Sequence, residues 1–252
     1  MDLHLNGKAV LVTGGSKGIG KAIARRFAEE GAAVGICARD EQELKTASEE
    51  IGAEAYFAGD LTDKAVREDV FNSFVSRFGK IDILVNNAGG SNGGTAMETD
   101  VELFEEAIQL NFLQAVHLSK LAAAEMKRQK TGAIVNITSI FGRESGGKPT
   151  YNASKAAMIS FTKAFADECI PFGVRVNGIA PGSILHPTGN WQKRLDENPE
   201  KINRFVEEQI PAGRFGTADE IADVAVFLAS RRASWVIGAT LNTDGGQSKM
   251  NF

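Results

Sequence analysis

A chain of 252 residues, 43% of them hydrophobic and 24% charged, is long enough to bury one large core and short for two independent ones. Its net charge of −4 leaves no electrostatic footprint for nucleic acid, and no apolar run reaches the length of about eighteen residues that a membrane span needs. Cys37 and Cys169 stand far apart without CxxC spacing and the histidines lack HxxxH spacing, which argues against a disulfide framework and a metal site, and the N-terminus has no basic-then-apolar leader. The expectation is a cytoplasmic protein with no metal, no nucleic acid and no membrane among its partners.

Residues 8–13, Lys-Ala-Val-Leu-Val-Thr, read as a short buried strand that runs straight into Gly14-Gly15-Ser16-Lys17-Gly18-Ile19-Gly20. A helical pattern over 21–30 follows, closed by Gly31. A strand, a glycine-rich turn and a helix form a phosphate-binding unit, because glycine lets backbone approach a ligand while the helix N-terminus offers free N–H groups and a positive dipole end. The spacing of Gly14, Gly18 and Gly20 differs from GxGxxG, so the commoner dinucleotide fingerprint does not apply directly.

Apolar stretches at 33–38, 53–58 and 81–85 then alternate with helical patterns at 41–51 and 64–78. A long helix is predicted over 100–128, a strand over 132–138, a helix over 151–170 and a strand over 174–180. A helix over 218–229 and a strand over 240–243 complete the pattern. Seven strands alternating with helices predict an α/β fold: one Rossmann-like, doubly wound domain over 1–252 with a parallel sheet, and a lid inserted at about 183–212.

Ligands of open parallel sheets bind at the carboxyl ends of the strands. The residues that follow the predicted strands outline one such rim: Arg39, then Asp60 and Leu61, then Asn87, Ala88 and Gly89, then Ser139, then Pro181 and Gly182 with Ile184 just beyond. Together with Gly14, Ser16, Lys17, Gly18, Ile19 and Gly20 they make up the expected cofactor site. A basic residue after the second strand accommodates the 2′-phosphate of NADP, whereas an acidic one receives the 2′-hydroxyl of NAD. Arg39, with Lys17 close by, therefore favours NADP(H) over NAD(H), and Asp40 opposes that choice if its carboxylate turns inward.

Tyr151 and Lys155 stand four positions apart within a predicted helix, on one face and in reach of each other. A phenol titrates near ~10 in water, so giving and taking a proton near neutrality requires roughly three units of phenolate stabilisation, about 4 kcal/mol, for which a nearby cation is the direct source. The other tyrosine, Tyr56, has Asp60 at the corresponding position, an anion that opposes phenolate formation. A hydrolase would need Ser139 as nucleophile with a histidine base, and Ser139 lacks the GxSxG elbow.

With these residues in place, the chain resembles the short-chain dehydrogenase/reductase family over nearly its whole length. Thr13-Gly14-x-x-x-Gly18-x-Gly20, Asn86-Asn87-Ala88-Gly89, Asn111, Ser139, Tyr151-x-x-x-Lys155, Pro181-Gly182 and Thr243-Asp244-Gly245-Gly246 match its motifs in order. Within the family the chain looks most like the 3-oxoacyl-[acyl-carrier-protein] reductase group. The resemblance implies hydride transfer between NADP(H) and a carbonyl or secondary alcohol, with Asn111, Ser139, Tyr151 and Lys155 as the catalytic set.

On that model Tyr151 exchanges the proton and Ser139 polarises the carbonyl. Lys155 lowers the phenol's pKa and, with Tyr151, contacts the cofactor, while Asn111 holds a water linking Lys155 to solvent. The resemblance also implies a homotetramer packed through the long helices beginning near 100 and 151. An NAD(H)-dependent alcohol dehydrogenase of the same family and a non-catalytic dinucleotide sensor are the rival readings. Departures gather after Gly182, where His186 stands at the usual position of a threonine that contacts nicotinamide. Trp191 either caps a substrate or packs the lid, and Arg143 is either a substrate contact or a solvated loop charge.

Overall fold

In the computed structural model, which describes residues 1–251, seven strands form one parallel sheet. They are β1 (Ala9–Thr13), β2 (Ala33–Ala38), β3 (Ala55–Ala58), β4 (Ile83–Asn86), β5 (Gly132–Ile137), β6 (Val174–Pro181) and β9 (Thr240–Thr243). Their order is β3-β2-β1-β4-β5-β6-β9. The chain winds outward from β1 to β3, then returns to the other side of β1 at β4, so the order reverses between β1 and β4. That reversal opens a crevice at the carboxyl ends of the strands, where an open α/β sheet binds its ligand.

Alternation along β1 sends Val10 and Val12 to one layer and Ala9 and Leu11 to the other. On the first side they meet Ile23 and Phe27 of α1 (Gly18–Glu29) and Ile221 of α9 (Ala218–Ala229). On the second they meet Phe71 and Phe74 of α3 (Lys64–Phe78) and Leu118 and Met126 of α5 (Gln114–Gln129). Both faces of the sheet are therefore covered, which explains why its inner strands read as unbroken apolar runs.

Several element bounds differ from the sequence expectation. Helix α1 begins at Gly18, three residues early, because Gly20 lets it close onto the turn: a Cβ at Gly20 would lie 2.2 Å from the Gly14 carbonyl oxygen. Helix α6 (Pro149–Cys169) starts at a proline in its first turn, where the missing N–H costs nothing. The helix predicted over 100–128 is broken into α4 (Val101–Ile108), a π-helical turn (Gln109–Leu113) and α5. The Asn111 amide donates to the Ala107 carbonyl at 3.0 Å, taking the acceptor that the backbone four residues on would use, and the helix widens there.

The stretch 183–212 carries more order than its charge pattern suggests. Strand β7 (Ile184–Leu185) pairs in parallel with β8 (Gly216–Thr217), and α7 (Asn190–Glu197) and α8 (Pro199–Gln209) lie between them. Trp191 stacks on Phe205 at 4.6 Å and leans on Phe215 at 5.2 Å, joining the two helices to the base of the insertion. Among the described residues no helix is long and apolar enough to cross a membrane. The remaining helix, α2 (Glu41–Ile51), follows β2 and forms one wall of the cleft described next.

Candidate active site

A cleft of about 2050 Å³ runs along the carboxyl ends of the strands from α2 to α8. Its floor at the crevice is a backbone lock between the first and fourth strands. The Thr13 hydroxyl accepts the Asn87 and Ala88 N–H groups at 2.9 and 3.0 Å, and the Asn87 amide returns to the Thr13 and Gly14 carbonyls at 2.9 and 3.2 Å. Thr13 is a structural member of the site that its motif position alone did not explain. Gly14 and Gly18 adopt positive φ, +65° and +56°, which keeps the turn open above the start of α1.

The structure brings the expected cofactor residues to this one cleft. Gly14, Ser16, Lys17, Gly18, Ile19 and Gly20 line it from the turn; Arg39, Asp60 and Leu61 from the second and third strand ends. Asn87, Ala88, Gly89, Pro181, Gly182 and Ile184 complete the wall. Asp60 is fixed by the Thr62 N–H at 2.9 Å and the Thr62 hydroxyl at 2.8 Å; the backbone bond, chiefly, and Arg39 hold its carboxyl below the usual range. Asp40 caps α2, its Oδ1 accepting the Glu43 N–H at 2.8 Å, so this carboxylate is occupied by the helix end.

At the other end of the cleft lie Ser139, Tyr151 and Lys155. Ser139 caps a short 3₁₀ turn (Ile140–Gly142) and its Oγ accepts the Phe141 N–H at 3.1 Å, which fixes the hydroxyl at the end of β5. Tyr151 is partly buried at the start of α6, and its phenol faces this hydroxyl. Burial raises the phenol's pKa, and the bond with Ser139 works against that rise. Lys155 is 4% exposed; its Nζ donates to the Ile137 carbonyl at 2.8 Å and lies 5.5 Å from the Tyr151 ring centre. Desolvation lowers its pKa to about 8.

The sequence expectation that Lys155 pulls the phenol down is therefore not what dominates here, since burial acts on both groups against their charged forms. Asn111 is fully buried, and its carboxamide is engaged with backbone: Oδ1 accepts the Gly90 N–H at 2.9 Å and Nδ2 donates to the Gly90 and Ala107 carbonyls. A Cβ at Gly89 would stand 2.6 Å from Asn111 Oδ1 and 3.5 Å from Lys155 Nζ, so glycine is what lets these two side chains flank the loop.

Three residues left open by the sequence acquire definite places. His186 packs its ring over Gly18, where a Cβ would be 2.9 Å from Cε1, and burial, then Lys17, lowers its pKa. Arg143 donates to the Thr240 carbonyl at 2.7 Å and Asn242 Oδ1 at 3.1 Å, tying its loop to β9 rather than reaching a substrate or standing free in solvent. Trp191 lines the cleft and also packs the insertion. Glu43, which sequence reasoning did not select, lines the cleft beside Lys17.

A doubly wound sheet that sets proton-transfer groups and a glycine turn in one cleft is the architecture of a dinucleotide-dependent oxidoreductase. The family model for Enoyl-(Acyl carrier protein) reductase matches residues 14–248, and the chain belongs to the short-chain dehydrogenase/reductase family. It is 37% identical over 246 residues to the 3-oxoacyl-[acyl-carrier-protein] reductase of Escherichia coli K12, across 97% of this chain and 98% of that protein. It is 36% identical over 255 residues to an uncharacterized oxidoreductase of Thermotoga maritima, across 98% and 99% of the two chains. The crystal structure of L-sorbose reductase from Gluconobacter frateurii, complexed with NADPH and L-sorbose, matches with a TM-score of 0.92 and 34% identity, over 99% of this chain and 100% of that one.

Proposed function

We propose that the protein is an NADP(H)-dependent reductase of carbonyl compounds in which Tyr151 gives the proton to the developing alkoxide. The observation that carries this reading is geometric: Ser139, Tyr151 and Lys155 line the same cleft as the glycine turn, so a hydroxyl, a phenol and an ammonium meet where a bound dinucleotide would reach. Nicotinamide chemistry supplies the hydride when the dinucleotide is bound. The cleft fits that group, because the turn from Gly14 to Gly20 lines it at the start of α1, where the first N–H groups have no side-chain cap and can receive a diphosphate.

Each residue of this chain then has one task. Ser139, held by the Phe141 N–H, directs its O–H at the substrate oxygen and stabilises charge as it develops. Lys155, anchored on Ile137, sets its ammonium below the phenol and contacts the cofactor ribose. Asn111 holds Gly90 and shapes the wall next to Lys155, where it positions the water through which the proton is replaced. Arg39, Lys17 and Ser16 receive the 2′-phosphate of NADP.

Residues 1–252 act as one dinucleotide-binding and catalytic domain, with 183–212 closing over the substrate through Trp191 and Phe205. Similarity to the E. coli enzyme makes 3-oxoacyl thioesters the first substrates to try. Assembly is as a homotetramer through the long helices α5 and α6, which light scattering measures.

The test is Tyr151→Phe, which keeps the ring and removes the proton. The expected result is a kcat at least about a hundredfold lower in NADPH-dependent reduction of a carbonyl panel, with NADPH dissociation within about twofold of wild type. Retention of more than a few per cent of activity rejects Tyr151 as the donor. Tight NADPH binding by the wild type without turnover on any carbonyl favours the dinucleotide sensor instead.

A further inference from the structure

Glu43 is the third residue of α2, behind an aspartate cap. In the reciprocal arrangement familiar at helix starts, a glutamate in this position folds back onto the cap's own N–H. Here it crosses to the glycine turn. Its two carboxylate oxygens lie 3.3 and 3.2 Å from Lys17 Nζ, and the Ser16 hydroxyl donates to Oε2 at 3.4 Å. Ser16, Lys17, Arg39, Asp40 and Glu43 line one end of the cleft, beside the end of β2. Two cations thus stand near two carboxylates, and an ion pair within the group joins Lys17 to Glu43 at 3.2 Å.

The consequence depends on what sits on the ribose. A 2′-hydroxyl needs no cation, and it leaves the Lys17–Glu43 pair intact. A 2′-phosphate carries about −1.5 to −2 charge near neutrality, by analogy with other phosphate monoesters, and calls on the same ammonium and the same hydroxyl. It must therefore take Lys17 and Ser16 from Glu43 and tolerate the displaced carboxylate nearby. We propose that Glu43 is a specificity-determining residue: by competing for Lys17 and Ser16 it holds the preference for NADP(H) over NAD(H) well below what Lys17 and Arg39 alone would give. This rests on the reading that the cleft binds NADP(H), and it concerns how strongly this chain discriminates between the two cofactors.

Glu43→Gln removes the charge while keeping the side-chain length and the backbone N–H that Asp40 caps. Dissociation constants for NADPH and NADH are read by nucleotide fluorescence, with no substrate present, for wild type, Glu43→Gln, Glu43→Ala, Lys17→Met and the Lys17→Met/Glu43→Gln pair. The expected result is NADPH binding about tenfold tighter in both Glu43 variants, equivalent to about 1.4 kcal/mol, with NADH within about twofold of wild type. The gain should shrink with added salt and should be lost in the Lys17→Met background.

An unchanged NADPH-to-NADH ratio in both Glu43 variants overturns the inference while leaving the cofactor reading intact. Persistence of the full gain without Lys17 also overturns it, because the competition then does not run through that residue. Failure of the wild type to bind either nucleotide overturns the cofactor reading itself, and the inference with it.

Discussion

Lys155→Met separates what the buried ammonium does for catalysis from what it costs the fold. The lysine's pKa is lowered from 10.5 to about 8 by desolvation, so the folded state holds the ammonium less tightly than the unfolded chain does. A depressed amine pKa means that the unfolded chain binds more protons than the native one between the two values, so stability rises with pH across that window. The contribution is fully present above about 10.5 and is lost as pH falls through about 8. At about 1.4 kcal/mol per unit, the wild type should gain roughly 2 kcal/mol relative to Lys155→Met between about pH 7 and 9.5.

The comparison has to be a slope, because methionine also leaves the Ile137 carbonyl without its 2.8 Å partner, a cost that does not change with pH. Urea denaturation of both proteins at about five pH values gives the difference directly. A gap between them that stays constant within about 0.5 kcal/mol over that range would refute the claim that Lys155 is held in a desolvated site. Activity gives the complementary result: Lys155→Met should lose most of its kcat at every pH, including those where it is the more stable protein relative to wild type.

Two substitutions probe the walls of the same cleft. Gly20→Ala places a Cβ 2.2 Å from the Gly14 carbonyl oxygen and 2.4 Å from Asn87 Nδ2, so the turn must open; overpacking of this kind costs about 1–3 kcal/mol, and a thermal melt should fall by several degrees with NADPH affinity weakened as well. Asn111→Leu removes the three bonds to Gly90 and Ala107; we expect a loss of about 2 kcal/mol in denaturant titrations and a fall in kcat, with hydrogen exchange slowing at Leu113 as the π turn relaxes toward α.

The alternation of apolar strands with helical patterns made the sheet legible, because burial on both faces leaves strands such as Val-Leu-Val with no polar interruption. Many of the residues that line the cleft were legible for a related reason: they follow strands, and the carboxyl ends of parallel strands necessarily share one rim, whereas Tyr151 and Lys155 were found by their spacing on a helix. What escaped the sequence depends on contacts between distant residues. The π turn forms where the Asn111 amide takes the Ala107 carbonyl while its oxygen holds Gly90, a loop residue beyond the end of β4, and no helical propensity encodes that meeting. Arg143 looked like a free loop charge until the fold delivered β9 to it. Glu43 carries no mark in the sequence beyond its place in the first turn of a helix, and only the approach of the glycine turn to α2 gives it Lys17 as a partner.

The same distinction governs Tyr151 and Lys155. Their spacing on α6 brings a cation near a phenol, which taken alone lowers the phenol's pKa. Burial acts on the pair in the opposite sense, raising the phenol and lowering the amine, so both groups are pushed toward neutrality. At neutral pH the phenol keeps its proton and Lys155, with a pKa of about 8, is still an ammonium, so the donor is loaded at rest with its cation 5.5 Å from the ring centre. Once the proton leaves, the phenolate and an ammonium stabilise each other in a medium where that attraction is far stronger than in water. The cost of desolvating Lys155 is thus recovered at the moment of proton transfer rather than in the resting fold, which is why the buried lysine should weaken the protein at neutral pH while serving its chemistry.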